Sequence, residues 1–446
     1  YELRDILGND SVLLRNQFRR SPTHTRTLNI RTSFDHQIGN MNVGAYYSLN
    51  LSRSRSLTST YDLTPFFAST PDMPASWLPD AYENAYIDSL SNHTNSNTLS
   101  HLLQLRCYYY IKGVNINASM GFTPTRQSLD QKTGLVTADT VRHSVEYTPS
   151  VSIYYYSDKY RFSFSYRGST RQPQLSDLLT LTDNSNPLYI TRGNPDLSPS
   201  YQQDIDVTFE MNKTGLSLRS YWNNTYNSVT RATTYNLTTG GIETRPVNIN
   251  GNWRLDNSAN YHTRLGRRFS VSSEWSVNFS RYVALMNEGN QSEPSQSITL
   301  GRALKGELRG DYSPAWGSMN LTGTWTHDYS HNLLRGQRNY VRSYSITYDT
   351  FVELPADIQL KSDISYSWRN GSYITPGEDD QLLWNLEASW RFLSKRQATL
   401  KVQWLDILSR SKNFSRVVTA TRIREDYNRV IGSYFLATVS YNFNFK

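Results

Sequence analysis

The chain has 446 residues, a formal net charge of +8, 37% hydrophobic and 13% aromatic content, with 32 Tyr and 10 Trp. It is longer than the usual single soluble core of about 100–200 residues, yet no linker or change of composition divides it, so one repeated architecture is the simpler reading. No apolar run approaches the ~18 residues of a membrane helix, Arg and Lys form no stripe of the kind that grips nucleic acid, and the single cysteine, Cys107, excludes a disulfide framework.

Taken in chain order, segments alternate apolar and polar residues with the period of two that marks β-strands. Residue 1 is Tyr and no signal peptide is visible, so a mature or truncated chain is expected. A first strand is predicted near residues 25–34, followed by a short turn at 37–41 and a strand that enters a long loop over 53–96. That loop carries Tyr61, Phe66, Phe67, Trp77, Tyr82 and Tyr86, broken by Pro65, Pro71, Pro74 and Pro79. Aromatics on a stiff loop are good material for capturing a ligand; alternatively, they pack on one another and hold the loop folded. Further short turns are predicted at 112–115, 157–160, 212–215, 266–268, 313–317, 354–357 and 394–397. Long connections are predicted between them at 127–140, 172–200, 232–245, 285–293, 328–339, 370–380 and 409–429.

Alternation alone does not say which face is wet. Strands of about ten residues match a tilted bilayer crossing. The polar face carries bulky charge, as with Asp204, Asp206 and Glu210, or Lys361, Asp363 and Arg369. Short turns at one end against long loops at the other is the organisation of outer-membrane barrels. The predicted fold is therefore all-β, an antiparallel up-and-down transmembrane barrel with roughly 17 strands visible. Because single-chain bacterial barrels have an even strand number, residues 1–446 are expected to be the C-terminal part of a larger barrel, of about 22 strands. The long loops are expected outside the cell and the C-terminus in the periplasm.

One loop is specific. After the strand containing Phe162, Phe164 and Tyr166 come Arg171, Pro173 and Leu175, then Asn186-Pro187, then Gly193-Asn194-Pro195, Leu197 and Pro199, before a strand begins at Tyr201. Trp404-Leu405-Asp406-Ile407-Leu408 precedes the last strand, in which Val439, Tyr441, Phe443 and Phe445 alternate with polar residues. These stretches resemble the barrels of TonB-dependent receptors and related outer-membrane β-barrel proteins. The resemblance implies a receptor or transporter that takes up a specific nutrient with energy from the inner membrane. It also implies an N-terminal plug domain and first strands upstream of this chain, and an inner-membrane energy-coupling protein acting through that plug. Outer-membrane lipid is the other partner, and a surface lipoprotein is a candidate. Lys446 after Phe445 departs from the family, whose last strand ends on the aromatic. A barrel serving as a structural or assembly partner of other envelope proteins is the alternative.

No enzymatic activity, cofactor or metal is expected. His327 and His331 have a spacing that aligns two ligands only on a helix, and they fall where a strand runs into a loop. Nucleophile elbows and phosphate loops are missing from the sequence. The acidic run Glu378-Asp379-Asp380 reads as a solvated loop. The Tyr108–Tyr110 and Tyr154–Tyr156 triplets read as aromatic girdles at the bilayer interfaces.

Overall fold

A period-two pattern gives one apolar face only in extended backbone, and the chain folds accordingly. The computed structural model of the protein describes residues 2–4, 10–12, 17–67, 78–134, 136–178, 182–186, 189–235, 241–287, 294–372, 380–393, 396–410, 414–418, 423–427 and 431–443. Seventeen strands form one antiparallel run: β1 (Thr23–Ile38), β2 (Met41–Asp62), β3 (Asn92–Ile111), β4 (Val114–Thr133), β5 (Val136–Tyr156) and β6 (Tyr160–Arg171). The run continues through β7 (Ser200–Met211), β8 (Leu216–Tyr226), β9 (Asn252–Leu265), β10 (Phe269–Met286), β11 (Ser295–Tyr312) and β12 (Gly317–Asn332). It ends with β13 (Gln337–Leu354), β14 (Ile358–Gly371), β15 (Gln381–Phe392), β16 (Ala398–Leu405) and β17 (Tyr434–Tyr441). Each pairs with the next, β6 to β7 and β8 to β9 included, so the predicted up-and-down wall is observed; short strands at the long-connection end bring the sheet to 22.

All the short turns fall at one end of the wall, where the sequence places them. One of the two-residue turns, Lys112-Gly113, has φ of 45° and 82°. Positive φ at both central residues gives the turn a twist that matches the strands it joins. At the other end the strands run on into several of the expected loops, β2 and β3 into 53–96 among them, and two connections depart furthest from expectation. The loop expected at 127–140 is a tight reversal, because β4 and β5 stay paired up to Thr133 and Val136. Likewise β12 and β13 pair up to Asn332 and Gln337. The sequence loses its apolar alternation there, but backbone pairing does not need it once the strands have left the lipid. These hairpins stand tall above the rest of the wall.

Register fixes which side chains share a face. The row Leu28, Leu51 and Leu99 points to one side, as do Tyr47, Leu103 and Phe122. Val277, Leu304 and His327 do the same further round. This apolar face is the exposed one: Trp275, Leu308 and Ile346 are 55%, 59% and 56% exposed. From the short turns up to the level of Arg302, about ten residues along each strand, no Asp, Glu, Lys or Arg points to that side. A charge-free apolar belt about 25 Å tall is what lipid requires. Well-buried apolar side chains are few among the described residues. All but Ala398 of them, Leu63, Leu129, Leu197, Ala232, Ile249, Val283 and Met286, sit toward the long-connection end. Among the described residues, compact apolar packing thus lies mainly in a cap above the belt, and the wall is stabilised by its backbone ladder.

Among the described residues the wall ends in β1 on one side and β17 on the other. No residue pairing joins β1 to β17 among the described residues, and every residue of both strands is exposed. Both edges run from the long-connection end toward the short turns, so they are parallel to one another.

Candidate functional site

The inward face of the wall is the first candidate. Alternation sends the residues between the lipid-facing ones into the lumen, and there charges pair both across strands and with the second residue along the same strand. Arg106 meets Asp35 at 3.5 Å, Arg161 meets Glu210 at 3.6 Å and Arg254 meets Asp256 at 2.7 Å. Lys305 lies 3.1 Å from both Glu274 and Glu307, Arg309 lies 2.8 Å from Asp311, and Lys401 lies 2.8 Å from Glu387. Arg219 binds Asp206 through two nitrogens. Asp204 accepts hydrogen bonds from the Tyr221 hydroxyl (2.5 Å) and from Asn223 (2.7 Å). With side chains a quarter to a half exposed, each pair contributes only about 0–1 kcal/mol. Their chemical meaning is larger than their stability: a wall so polar needs water or another polar surface against it. Asp204, Asp206, Glu210, Lys361 and Asp363 belong to this face, as the sequence implies; Lys361 and Asp363 pair along one strand (3.4 Å), whereas the Arg219 and Arg161 partners of Asp206 and Glu210 come from neighbouring strands and are set by register.

The second candidate is the loop between β6 and β7. Leu175 opens a single 3-10 turn (Leu175–Leu178), and Asn186 closes a short strand (Thr182–Asn186) that pairs with another (Tyr189–Arg192). Pro187 lies outside the described residues. Tyr189–Arg192 runs parallel to Ile242–Ile249, the second strand of a hairpin that begins at Ser228–Tyr235. Asn194 is the anchor of this assembly. It is buried, its Nδ2 donates to the Pro246 carbonyl at 2.9 Å, and its Oδ1 accepts from Arg245 (3.0 Å) and from the Asp196 backbone N–H (3.2 Å). The Asn194 backbone N–H donates to the Asp177 carbonyl. Leu197 and Pro246 are buried beside it, whereas Arg171, Pro195 and Pro199 are exposed at the rim. Gly193 leads into the anchor, and Pro173 is fixed from behind by Arg142, which donates to its carbonyl at 2.8 Å and to Gln127 at 2.6 Å. Asn248 completes the tie by accepting from the Ser198 N–H and donating to the Ser198 and Asn227 carbonyls. The motif therefore builds a braced platform at the long-connection end.

Residues 125–441 match the outer membrane protein β-barrel family. The chain belongs to this family. Among solved structures it is similar to the copper transporter OprC, at 8% identity and a TM-score of 0.39, over 99% of this chain and 76% of that one. It is also similar to the FrpB iron transporter from Neisseria meningitidis, at 10% identity and a TM-score of 0.33, over 94% of this chain and 73% of that one. A third likeness is to the outer membrane transporter YddB from Escherichia coli, at 10% identity and a TM-score of 0.32, over 95% and 76%. No protein of curated function matches the sequence. Membership of the family places this barrel in the outer membrane.

The aromatic loop of this outer-membrane barrel is self-packed in its described part. Tyr61 lies edge-on to Tyr82 (4.9 Å between ring centres) and Tyr86 (5.8 Å), and Phe18 caps Tyr82 at 5.3 Å. Tyr86 remains 46% exposed. Phe66 and Phe67 fall in a single helical turn (Thr64–Phe67), and Trp77 lies outside the described residues, as do Glu378, Asp379 and Phe445. Phe18 is the member that sequence reading missed, since it joins from a short strand (Gln17–Arg20) paired to the top of β2. No group of three metal-ligating side chains occurs among the described residues. His327 takes a hydrogen bond from Arg342 (3.1 Å) and stacks on Trp325. Tyr108 points inward and donates to Asn115 at 2.7 Å, away from the lipid boundary.

Proposed function

We propose that this chain is the barrel of an outer-membrane receptor that takes up a specific nutrient with energy supplied from the inner membrane. The observation that carries the reading is the lumenal ladder of paired charges, which runs from Asp35–Arg106 near one edge to Glu387–Lys401 near the other. Side chains alone fill a barrel of only about eight strands, so a wall twice that size encloses a space for water, ligand or a polar plug. A plug domain seated on this ladder would be gripped by groups already oriented by their cross-strand partners. The braced Asn194 platform and the Tyr61–Tyr86 cluster then stand at the mouth, the long connections facing outward, where ligand is met. Of the two, the platform is a shaping element and the aromatic loop the better ligand-facing surface.

The same reading accounts for the two edges. Two parallel edges are joined into an antiparallel barrel only through an odd number of further strands. A disulfide needs Cα atoms within about 7 Å. Cysteines at Asp35→Cys in β1 and Thr438→Cys in β17 should therefore not cross-link in the native membrane; efficient cross-linking would show direct closure and sink the extra strands.

Uptake is tested in cells with and without the gene, offered panels of glycans, metal chelates and peptides, with and without a protonophore. Saturable uptake that is lost on deletion and on collapse of the proton gradient supports the proposal. Uptake that is unsaturable and indifferent to the gradient overturns it and leaves an envelope-assembly role as the better reading.

A further inference from the structure

Above the lipid belt the outward face changes character. On β1 to β4 it presents Arg26, Arg53 and Arg126 over a floor of Leu28, Leu51 and Leu99, and together they form a groove of about 500 Å³. The arginines converge through register: Arg26 is opposite Arg53, which is opposite Asn97, while Leu99 is opposite Arg126. All three are exposed, and none has an ion-pair partner among the described residues, unlike Arg219 and Arg254 of the lumen. The nearest outward carboxylates, Asp130 and Asp139, lie higher, near the tip of the β4–β5 hairpin.

Height identifies the surroundings of this groove. Arg26, Arg53 and Arg126 each stand about a dozen residues above the short turns. At roughly 3.3 Å per residue and a tilt of 35–45°, that is about 30 Å, the level where an apolar belt of about 25 Å gives way to headgroups. A second basic patch lies at the same level on β10 to β13, where Arg281 also points outward, opposite Trp253, and donates to the Gly251 carbonyl at 2.7 Å. There Arg302 sits over the Tyr329 ring (5.9 Å), Arg342 sits over Tyr340 (5.4 Å), and Arg342 also donates to His327. Between the patches, on β6 to β9, the equivalent outward positions are Thr170, Tyr201, Tyr226 and Trp253, all neutral. The cations are thus confined to two places on the circumference. A general attraction to the membrane surface would not require that.

We propose that the Arg26–Arg53–Arg126 groove is a binding site for a phosphate-bearing lipid of the outer leaflet, its phosphate held by the guanidinium groups and its acyl chains lying on the leucines below. Guanidinium groups recognise phosphate through charge-assisted, bidentate hydrogen bonds. An apolar floor immediately beneath them selects an amphiphile over a free anion. The inference rests on the orientation proposed above, with the long connections outside; labelling of Leu333→Cys on intact cells by a membrane-impermeant maleimide, in a Cys107→Ser background, tests that orientation separately.

The test uses the full-length protein in phosphatidylcholine nanodiscs containing either monophosphoryl lipid A or its phosphate-free counterpart, with retained lipid read by native mass spectrometry. Wild type should retain the phosphorylated lipid about tenfold better, as expected for loss of charge-assisted contacts. The R26Q/R53Q/R126Q variant should fall to the level of the phosphate-free lipid. Changing Arg267 and Arg268 at a short turn to Gln should leave retention unaltered, and the triple Arg→Lys exchange should restore much of it. Equal retention of both lipids, or full retention by the triple Gln variant, overturns the site. Complete displacement by inorganic phosphate assigns the groove to a free anion and overturns the lipid.

Discussion

The two faces of the wall are made from the same strands, yet they treat charge in opposite ways. Inside, Arg219, Arg254 and Lys305 each lie against a carboxylate on their own or a neighbouring strand. Outside, Arg26, Arg53 and Arg126 have no such partner, and below them charge disappears altogether. The difference shows that solvent sets the pattern. A hydrated lumen tolerates charge when it is paired, lipid tolerates none, and the headgroup layer supplies counter-ions of its own.

The largest test of this contrast is charge placed within the belt. Leu105 points outward near mid-height, and Leu105→Arg should destabilise the barrel by ~2–4 kcal/mol, the usual depth-dependent cost at the bilayer centre. Leu57→Arg, on the same face but above the belt, should stay within ~0.5 kcal/mol. Urea titrations in lipid vesicles compare the two; similar costs would mean that the belt is misplaced.

Next comes the platform. Asn194→Ala removes three side-chain hydrogen bonds and orphans the buried Pro246 carbonyl, a loss of about 2–3 kcal/mol. The damage should be local. Amide exchange across residues 228–249 should quicken while the β10–β13 ladder stays protected, and uniform quickening would make Asn194 a fold-wide element.

The smallest effect belongs to the lumen. Asp206→Asn leaves Arg219 without its carboxylate, but Arg219 is more than half exposed, so the cost should be about 0.5–1 kcal/mol. A loss several times larger would show the lumen to be drier than the pairing implies.

Much of this was legible beforehand. The strands and short turns were, because apolar alternation such as Val277, Phe279 and their neighbours is local, and so are turn residues such as Lys112-Gly113. The tops of the strands were not. Arg53, Ser54, Arg55 and Ser56 read as loop, yet they continue β2 in full register with β3. The role of Asn194 was hidden for a different reason: its partners Arg245 and Pro246 lie some fifty residues away, and nothing local announces them. The basic groove was hidden in the same way, since its three arginines come from three strands and meet only once register is set.

The tall hairpins have an electrostatic consequence. Strands of 20–22 residues, such as β2, β3 and β4, rise about 50 Å at the usual tilt, which is roughly 20 Å more than the lipid demands. Physiological salt screens surface charge within about 8 Å. With the long connections outside, as proposed above, the tips and their loops stand more than two screening lengths clear of the bilayer surface. A ligand arriving there meets the field of the protein alone, so an anionic molecule is not turned away by the anionic membrane beneath it.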